Sequence, residues 1–145
     1  MSDVINGKPP TSFWVFSGAA LMWNLIGLIF YYGQVTMTQE AVQRLTADQQ
    51  AFFASTPTWA TSAYAIAVTA GVLGSLLLLF RKAWAVPVFV LSFIGIVVQD
   101  LHAFVLSNAL EVFGTNGMIL PAIVLIIGAA LIWYSRGTKD KGWIA

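Results

Sequence analysis

Four long apolar stretches run through the chain, and short polar segments separate them. Their predicted bounds are about 12–33, 57–80, 83–106 and 117–134. Each is close to the ~20 residues that a helix needs to cross ~30 Å of hydrocarbon. The strands of a membrane barrel would be about half as long and would alternate in polarity. The pattern therefore predicts an all-α fold, a polytopic bundle of four transmembrane helices forming one domain over residues 1–145.

The polar segment 34–56 is the longest connection, and its pattern predicts a short amphipathic helical segment outside the membrane. Thr46-Ala47-Asp48-Gln49 fits a capping box, in which the Thr and Gln side chains satisfy free amides at a helix start. We expect the phenylalanines that follow it to lie on the membrane surface or against the bundle. Pro57 suits the first helical position of the second span.

The low content of charged residues indicates that the chain is surrounded by lipid. Charged residues make up 9% of the sequence, against roughly 25% in a typical soluble domain. The net charge is +1, and no basic cluster of the kind that binds nucleic acid is present. Cysteine is absent, which excludes disulfides and thiolate metal sites. The leader carries Asp3 and Lys8 rather than a basic region, so the first stretch is predicted to be a retained span and not a cleaved signal peptide.

The distribution of positive charge predicts the orientation of the spans. Short loops rich in Lys and Arg stay on the cytoplasmic side of a membrane. One such loop joins the second and third spans, and a second basic segment follows the fourth span. These five residues are Arg81, Lys82, Arg136, Lys139 and Lys141. The sequence therefore predicts a multi-pass protein with both termini in the cytoplasm.

Small residues recur at every fourth position of the second span. They are Ala63, Ala67, Gly71 and Ser75. A stripe of small residues lets helix backbones approach closely, which is the usual means of packing helices in lipid. We therefore expect the second span to be central in the bundle.

The third span carries the most unusual polar cluster. Asp100 is the only acidic residue within a predicted span, and His102 is the only histidine of the chain. Ionisable residues in hydrocarbon are costly and are functional candidates by default. Asp100 follows Ala83 by seventeen residues, or about 25 Å of helix, which places it near the outer boundary. Two interpretations stay open: Asp100 forms the floor of a shallow outer vestibule, or it belongs to a structural polar cluster with Gln99 and His102.

The first span adds a polar position near its midpoint. Asn24 is seven residues, or two helical turns, from Ser17 and from Tyr31, so the three share one face, which we expect to point inward. Asn24 either cross-links helices or contacts a ligand. The candidate ligand-binding residues are Asn24, Tyr31, Tyr64, Gln99, Asp100 and His102.

Catalytic and metal-binding signatures are missing from the sequence. There is no nucleophile elbow, no glycine-rich phosphate loop and no metalloprotease pair, which argues against an enzyme. A single histidine cannot hold a haem from both sides, and no second nitrogen or sulfur ligand accompanies it. We predict neither a metal nor a cofactor.

Four apolar and aromatic motifs stand out along the chain: Trp23-Asn24-Leu25-Ile26-Gly27, Thr58-Trp59-Ala60, Ser92-Phe93-Ile94-Gly95 and Ile132-Trp133-Tyr134-Ser135. With these motifs, nearly the whole chain resembles a group of small bacterial four-span membrane proteins that are often named sugar transporters. In size and helix layout the chain also resembles the DoxX-like group. The resemblance implies a bacterial inner membrane and a four-helix bundle, and DoxX-like proteins are linked to quinone or thiol redox partners.

Two classes of function follow from these features. In the first, the protein binds or helps to move a small molecule through an outward-facing polar pocket, as a homo-oligomer because one four-helix unit is small for a full path. In the second, it is a non-catalytic accessory subunit of a larger membrane complex, and its polar residues hold helices together. A quinone-linked redox partner is the third possibility.

Overall fold

The computed structural model describes residues 8–145, so Asp3 of the leader lies outside the described residues. Within that range four helices are long and apolar enough to cross a membrane, which confirms the predicted all-α four-span fold. A π-helical turn, His102–Leu106, extends the third span. The helices are α1 (Thr11–Val35), α2 (Gln39–Gln43), α3 (Ala47–Ser55), α4 (Thr58–Leu79), α5 (Ala85–Leu101) and α6 (Ala109–Asp140).

The connection between the first two spans contains two short helices rather than the single predicted segment. The N–H of Gln49 donates to the Thr46 hydroxyl at 3.2 Å, and the N–H of Thr46 donates back to the Gln49 side chain at 3.2 Å, which confirms the capping box of α3. Helix α2 begins in a similar way after Thr38. Pro57 precedes α4 as its N-cap and is not its first helical residue. We call this end of the bundle the loop end.

Helix α4 lies at the centre of the bundle, between α1 and α5, and α6 packs on the other side of α5. All four residues of the small stripe are buried. A Cβ added at Gly95 would lie 2.8 Å from the carbonyl oxygen of Ala63 and 2.9 Å from the backbone nitrogen of Ala67. The backbones of α4 and α5 therefore touch directly.

The opposite end of the bundle, which we call the tail end, carries the α4–α5 turn and the C-terminal residues. Two residues after the end of each of α4 and α6, the backbone takes a positive φ, at Arg81 (59°) and at Gly142 (74°). The N–H of Lys82 donates to the Leu77 carbonyl at 2.8 Å, and an equivalent bond closes α6. This is the Schellman arrangement that satisfies free carbonyls at a helix end. Arg81 also donates from Nε to the Trp143 carbonyl at 2.8 Å.

The C-terminal residues are bound to the α4–α5 turn. The N–H of Ala83 donates to the Ala145 carbonyl at 3.0 Å, and the N–H of Ala145 donates to the Arg81 carbonyl at 3.1 Å. Ile144, between these contacts, is only 2% exposed. An apolar cluster therefore closes the tail end, formed by Phe13, Ala20, Leu78, Ala85, Phe89, Leu131 and Ile144.

Helix α6 is longer than the predicted span 117–134, because it continues through polar residues at both ends. At its loop end it is kinked at Gly114, with φ 74° and ψ 178°. Nothing lies within 4 Å of the position that a Cβ would take there, so the glycine is needed for its backbone conformation and not for space. The kink separates the first turn of α6, which packs against α3, from the long membrane helix.

Candidate functional site

A cavity of about 210 Å³ lies between all four spans. Helices α4 and α5 form its back wall, and α1 and α6 form its sides. Fifteen of its twenty lining residues are apolar. The five polar ones are Asn24, Tyr64, Ser92, Gln99 and Asp100.

The cavity is deep and opens sideways. Along α5 it extends from Phe89 to beyond Asp100, a rise of about 16 Å at 1.5 Å per residue. Helices α1 and α6 make few close contacts, and the rim residues Ile26, Phe30 and Leu120 are exposed. The mouth therefore lies between α1 and α6. This differs from the expected shallow vestibule, because Asp100 lies near the loop end of the cavity and not on its floor.

Asp100 is the charged residue of the lining. It is 9% exposed, and its Oδ2 atom is buried without a hydrogen-bond partner among residues 8–145. Residues two apart in a helix do not face each other, so Asp100 and His102 point in different directions. In the same described range no group of three or more His, Cys, Asp and Glu residues is placed to hold a metal ion. Asp100 therefore places a carboxyl group in the cavity lining, and one of its two oxygens is buried without a partner.

Asn24 joins α1 to α4 and also lines the cavity. Its Nδ2 donates to the Ala20 carbonyl at 2.8 Å and to the Ser75 hydroxyl at 3.2 Å. A carbonyl only accepts hydrogen bonds, so the atom facing Ala20 must be the amide nitrogen. The oxygen, Oδ1, lies against Gly71, where a Cβ would collide with it. Asn24 therefore cross-links two helices, and its place in the cavity lining leaves the second role, contact with a ligand, open to it as well.

Ser92 is a polar lining residue that was not among the sequence candidates. Its hydroxyl donates to the Ala67 carbonyl at 2.6 Å and so ties α5 to α4. The signal for it was present, because Ser92 lies three residues before Gly95 and seven before Gln99, on one helix face. The apolar part of the lining, which includes Phe89, gave no comparable signal.

Two of the six candidates lie outside the lining. The Tyr31 ring packs edge-on against Tyr64, with centroids 5.1 Å apart, and so supports a wall residue from behind. His102 is buried, with its ring 5.5 Å from Trp59 and 6.1 Å from Phe52. It belongs to an aromatic cap at the loop end, formed by Phe52, Phe53, Trp59, His102 and Phe113.

The other four candidates, Asn24, Tyr64, Gln99 and Asp100, are brought together around one cavity by α1, α4 and α5. Comparison with known proteins does not identify this arrangement. No protein-family model, no curated protein and no solved structure matches the chain. The function is therefore argued from the cavity itself.

Proposed function

We propose that this membrane protein binds a small molecule in the cavity between its four spans. The observation that carries the proposal is the position of Asp100 in the cavity lining, together with the absence of a partner for its buried Oδ2 among the described residues. Buried polar groups without partners are rare in native proteins, and each calls for an explanation. A bound molecule that donates a hydrogen bond supplies one. A mostly apolar cavity with a few convergent polar groups is also the usual form of a small-molecule site.

The lining favours a largely apolar molecule. With fifteen apolar residues among twenty, the cavity offers few partners for the many hydroxyl groups of a sugar, and polar groups buried without partners cost about 1–3 kcal/mol each. The mouth between α1 and α6 gives such a molecule a route from the lipid. The apolar cluster at the tail end supports binding from the loop half rather than a continuous path through the bundle.

The proposal also covers the orientation of the bundle in the membrane and the cellular membrane in which it lies. The basic residues at the tail end, among them Arg81, Lys82 and Arg136, support a cytoplasmic position for that end under the positive-inside rule. The tail end also carries the exposed rings of Trp84 and Trp133, which suit a membrane interface. The loop end then faces outward. We also propose a bacterial inner membrane as the location, which only the resemblance of the sequence motifs supports.

A pair of neighbouring substitutions on α6 tests the binding proposal. Val124 lines the cavity, and Ile123 beside it is 41% exposed on the outside of the helix. Val124→Phe therefore fills part of the cavity, while Ile123→Phe adds the same ring on the lipid side. Each protein is purified in mild detergent and measured by native mass spectrometry. We expect a small-molecule adduct on the unmodified chain and on Ile123→Phe, and its loss from Val124→Phe.

The opposite result would count against a cavity site. An adduct that persists on Val124→Phe binds elsewhere, and a chain without any small-molecule adduct is not a binding module under these conditions. Recovery of a stoichiometric protein partner with an unoccupied chain would favour the accessory-subunit function instead.

A further inference from the structure

We infer that the cavity takes a lipophilic amine, a molecule with an apolar body of about one ring and a protonated nitrogen that pairs with Asp100. This inference rests on the proposed function, because it names the chemical class that the same cavity binds. It is carried by the charge of the lining, by the donors and acceptors that the lining leaves free, and by the shape and size of the space.

The negative charge of the Asp100 side chain favours a cationic ligand. Asp100 is the only one of the twenty lining residues with a charged side chain, and a buried charge is costly unless it is paired and hydrogen-bonded. A protonated amine supplies both the opposite charge and an N–H donor for the carboxylate. The carbonyl oxygens of a quinone only accept hydrogen bonds and cannot satisfy a carboxylate. An anion would add a second negative charge.

The hydrogen bonds within the wall leave further acceptors. Asn24 uses both amide hydrogens, on Ala20 and Ser75, so its Oδ1, which packs on Gly71, is the atom of this side chain that still has lone pairs to accept a hydrogen bond. Ser92 uses its hydroxyl hydrogen on a backbone carbonyl and retains its lone pairs. The side chains of Gln99 and Tyr64 can donate or accept, so they adapt to either kind of ligand. Apart from the indole N–H of Trp23, which can only donate, the fixed polar atoms of the wall are acceptors and favour a ligand that donates.

The apolar part of the cavity suits an aromatic body. Trp23, Phe30, Tyr64 and Phe89 all line it, and the faces of such rings attract organic cations. At about 210 Å³ the cavity is larger than the engineered protein cavity of about 150 Å³ that holds benzene, so one ring with a short arm fits. The mouth between α1 and α6 faces lipid, where a lipophilic amine partitions.

The test uses three probes that share a ring and arm length and differ only in the terminal group: 2-phenylethylamine, 2-phenylethanol and phenylacetate. Isothermal titration calorimetry at neutral pH measures the binding of each to the full chain in detergent. We expect the amine to bind at least ~10-fold more tightly than the alcohol, as a desolvated charge pair allows, and phenylacetate to give no measurable binding. This comparison needs no variant and so does not depend on the folding of one.

Two matched variants then assign the preference to one carboxylate. Asp100→Asn keeps the shape of the side chain and removes its charge, and we expect it to abolish the preference for the amine. Glu111→Gln makes the same change at an exposed position outside the lining, and the preference should persist. Unchanged amine binding in Asp100→Asn would overturn the inference.

The remaining outcomes separate this inference from the proposed function. If the alcohol or phenylacetate binds as tightly as the amine, and Val124→Phe blocks it, the cavity is a binding site but not one for amines. If none of the three probes binds, the amine inference is wrong. The native mass spectrometry of the Val124→Phe and Ile123→Phe pair then decides whether the cavity binds anything else.

Discussion

The side-chain oxygen of Asn24 on α1 fills the space that Gly71 on α4 leaves by having no side chain. The same amide donates to Ser75, one turn further along α4. The small stripe of α4 therefore has two functions. It lets α5 approach the backbone closely at Gly95, and it makes room for the Asn24 amide, which joins α1 to α4.

Substitution of Gly71 with alanine is expected to destabilise the protein. The new Cβ would collide with the Asn24 amide, which must rotate away and give up its hydrogen bonds to Ala20 and Ser75. We expect a loss of about 1–3 kcal/mol in the free energy of unfolding, measured by equilibrium denaturation in detergent. Gly18→Ala is the control, because nothing lies within 4 Å of its Cβ position. Equal stabilities of the two variants would refute the role of the Asn24–Gly71 contact.

Gly95→Ala should cost more than Gly71→Ala. Its Cβ would meet backbone atoms of Ala63 and Ala67, which cannot rotate away as an amide side chain can, so α4 and α5 must separate. We expect a loss of about 3 kcal/mol or more, the upper range for overpacking a core, in the same denaturation experiment. Gly137→Ala, with nothing within 4 Å, is the control. A cost below that of Gly71→Ala would contradict direct contact between the two backbones.

The sequence predicted those parts of the fold that depend on local pattern. The four spans follow from apolar length alone, and the capping box at Thr46 follows from residue spacing. The full extent of α6 was missed because its ends, near Glu111 and Lys139, are polar and leave the hydrocarbon. The π-helical turn after Leu101 has no sequence signature comparable to a cap or a proline.

The candidate site was predictable only in its polar residues. Asn24, Gln99 and Asp100 stand out because polar side chains are rare in membrane spans. Whether they meet depends on how the helices are arranged, and the gap between α1 and α6 is a property of that arrangement. His102 lies three residues after Gln99, a spacing that groups the two on one helix face, but the structure packs His102 into the aromatic cap instead.

The closure of the tail end predicts a stabilising role for Ile144. This side chain is 2% exposed within the apolar cluster that includes Phe13. Ile144→Ala should lower the free energy of unfolding by about 2–4 kcal/mol, as is usual for a large-to-small core change. Ile126→Ala is the control, because Ile126 is 67% exposed on the outside of α6. Similar unfolding midpoints for both variants in detergent would show that the C-terminal residues do not hold the tail end closed.

The proposed orientation can be checked with single cysteines, since the chain has none of its own. Ala51 on α3 and Lys82 in the α4–α5 turn are both exposed, at opposite ends of the bundle. A membrane-impermeant maleimide added to intact cells should label Ala51→Cys and leave Lys82→Cys unlabelled, because the positive-inside rule keeps the basic turn in the cytoplasm. Both should be labelled after the cells are lysed. The reverse pattern in intact cells would invert the orientation.

The most direct test of a ligand-accessible cavity compares two buried alanines one turn apart on α4. Ala67 lines the cavity, whereas Ala63 packs against α5 outside it, and their exposures are nearly equal at 5% and 6%. Each is replaced by cysteine, and the rate of reaction with N-ethylmaleimide is measured on the folded protein. We predict that Ala67→Cys reacts at least ~10-fold faster, because Ala63→Cys can react only after local opening of the helix interface. Equal rates would mean that small molecules do not reach the cavity, and the proposed binding function would fail.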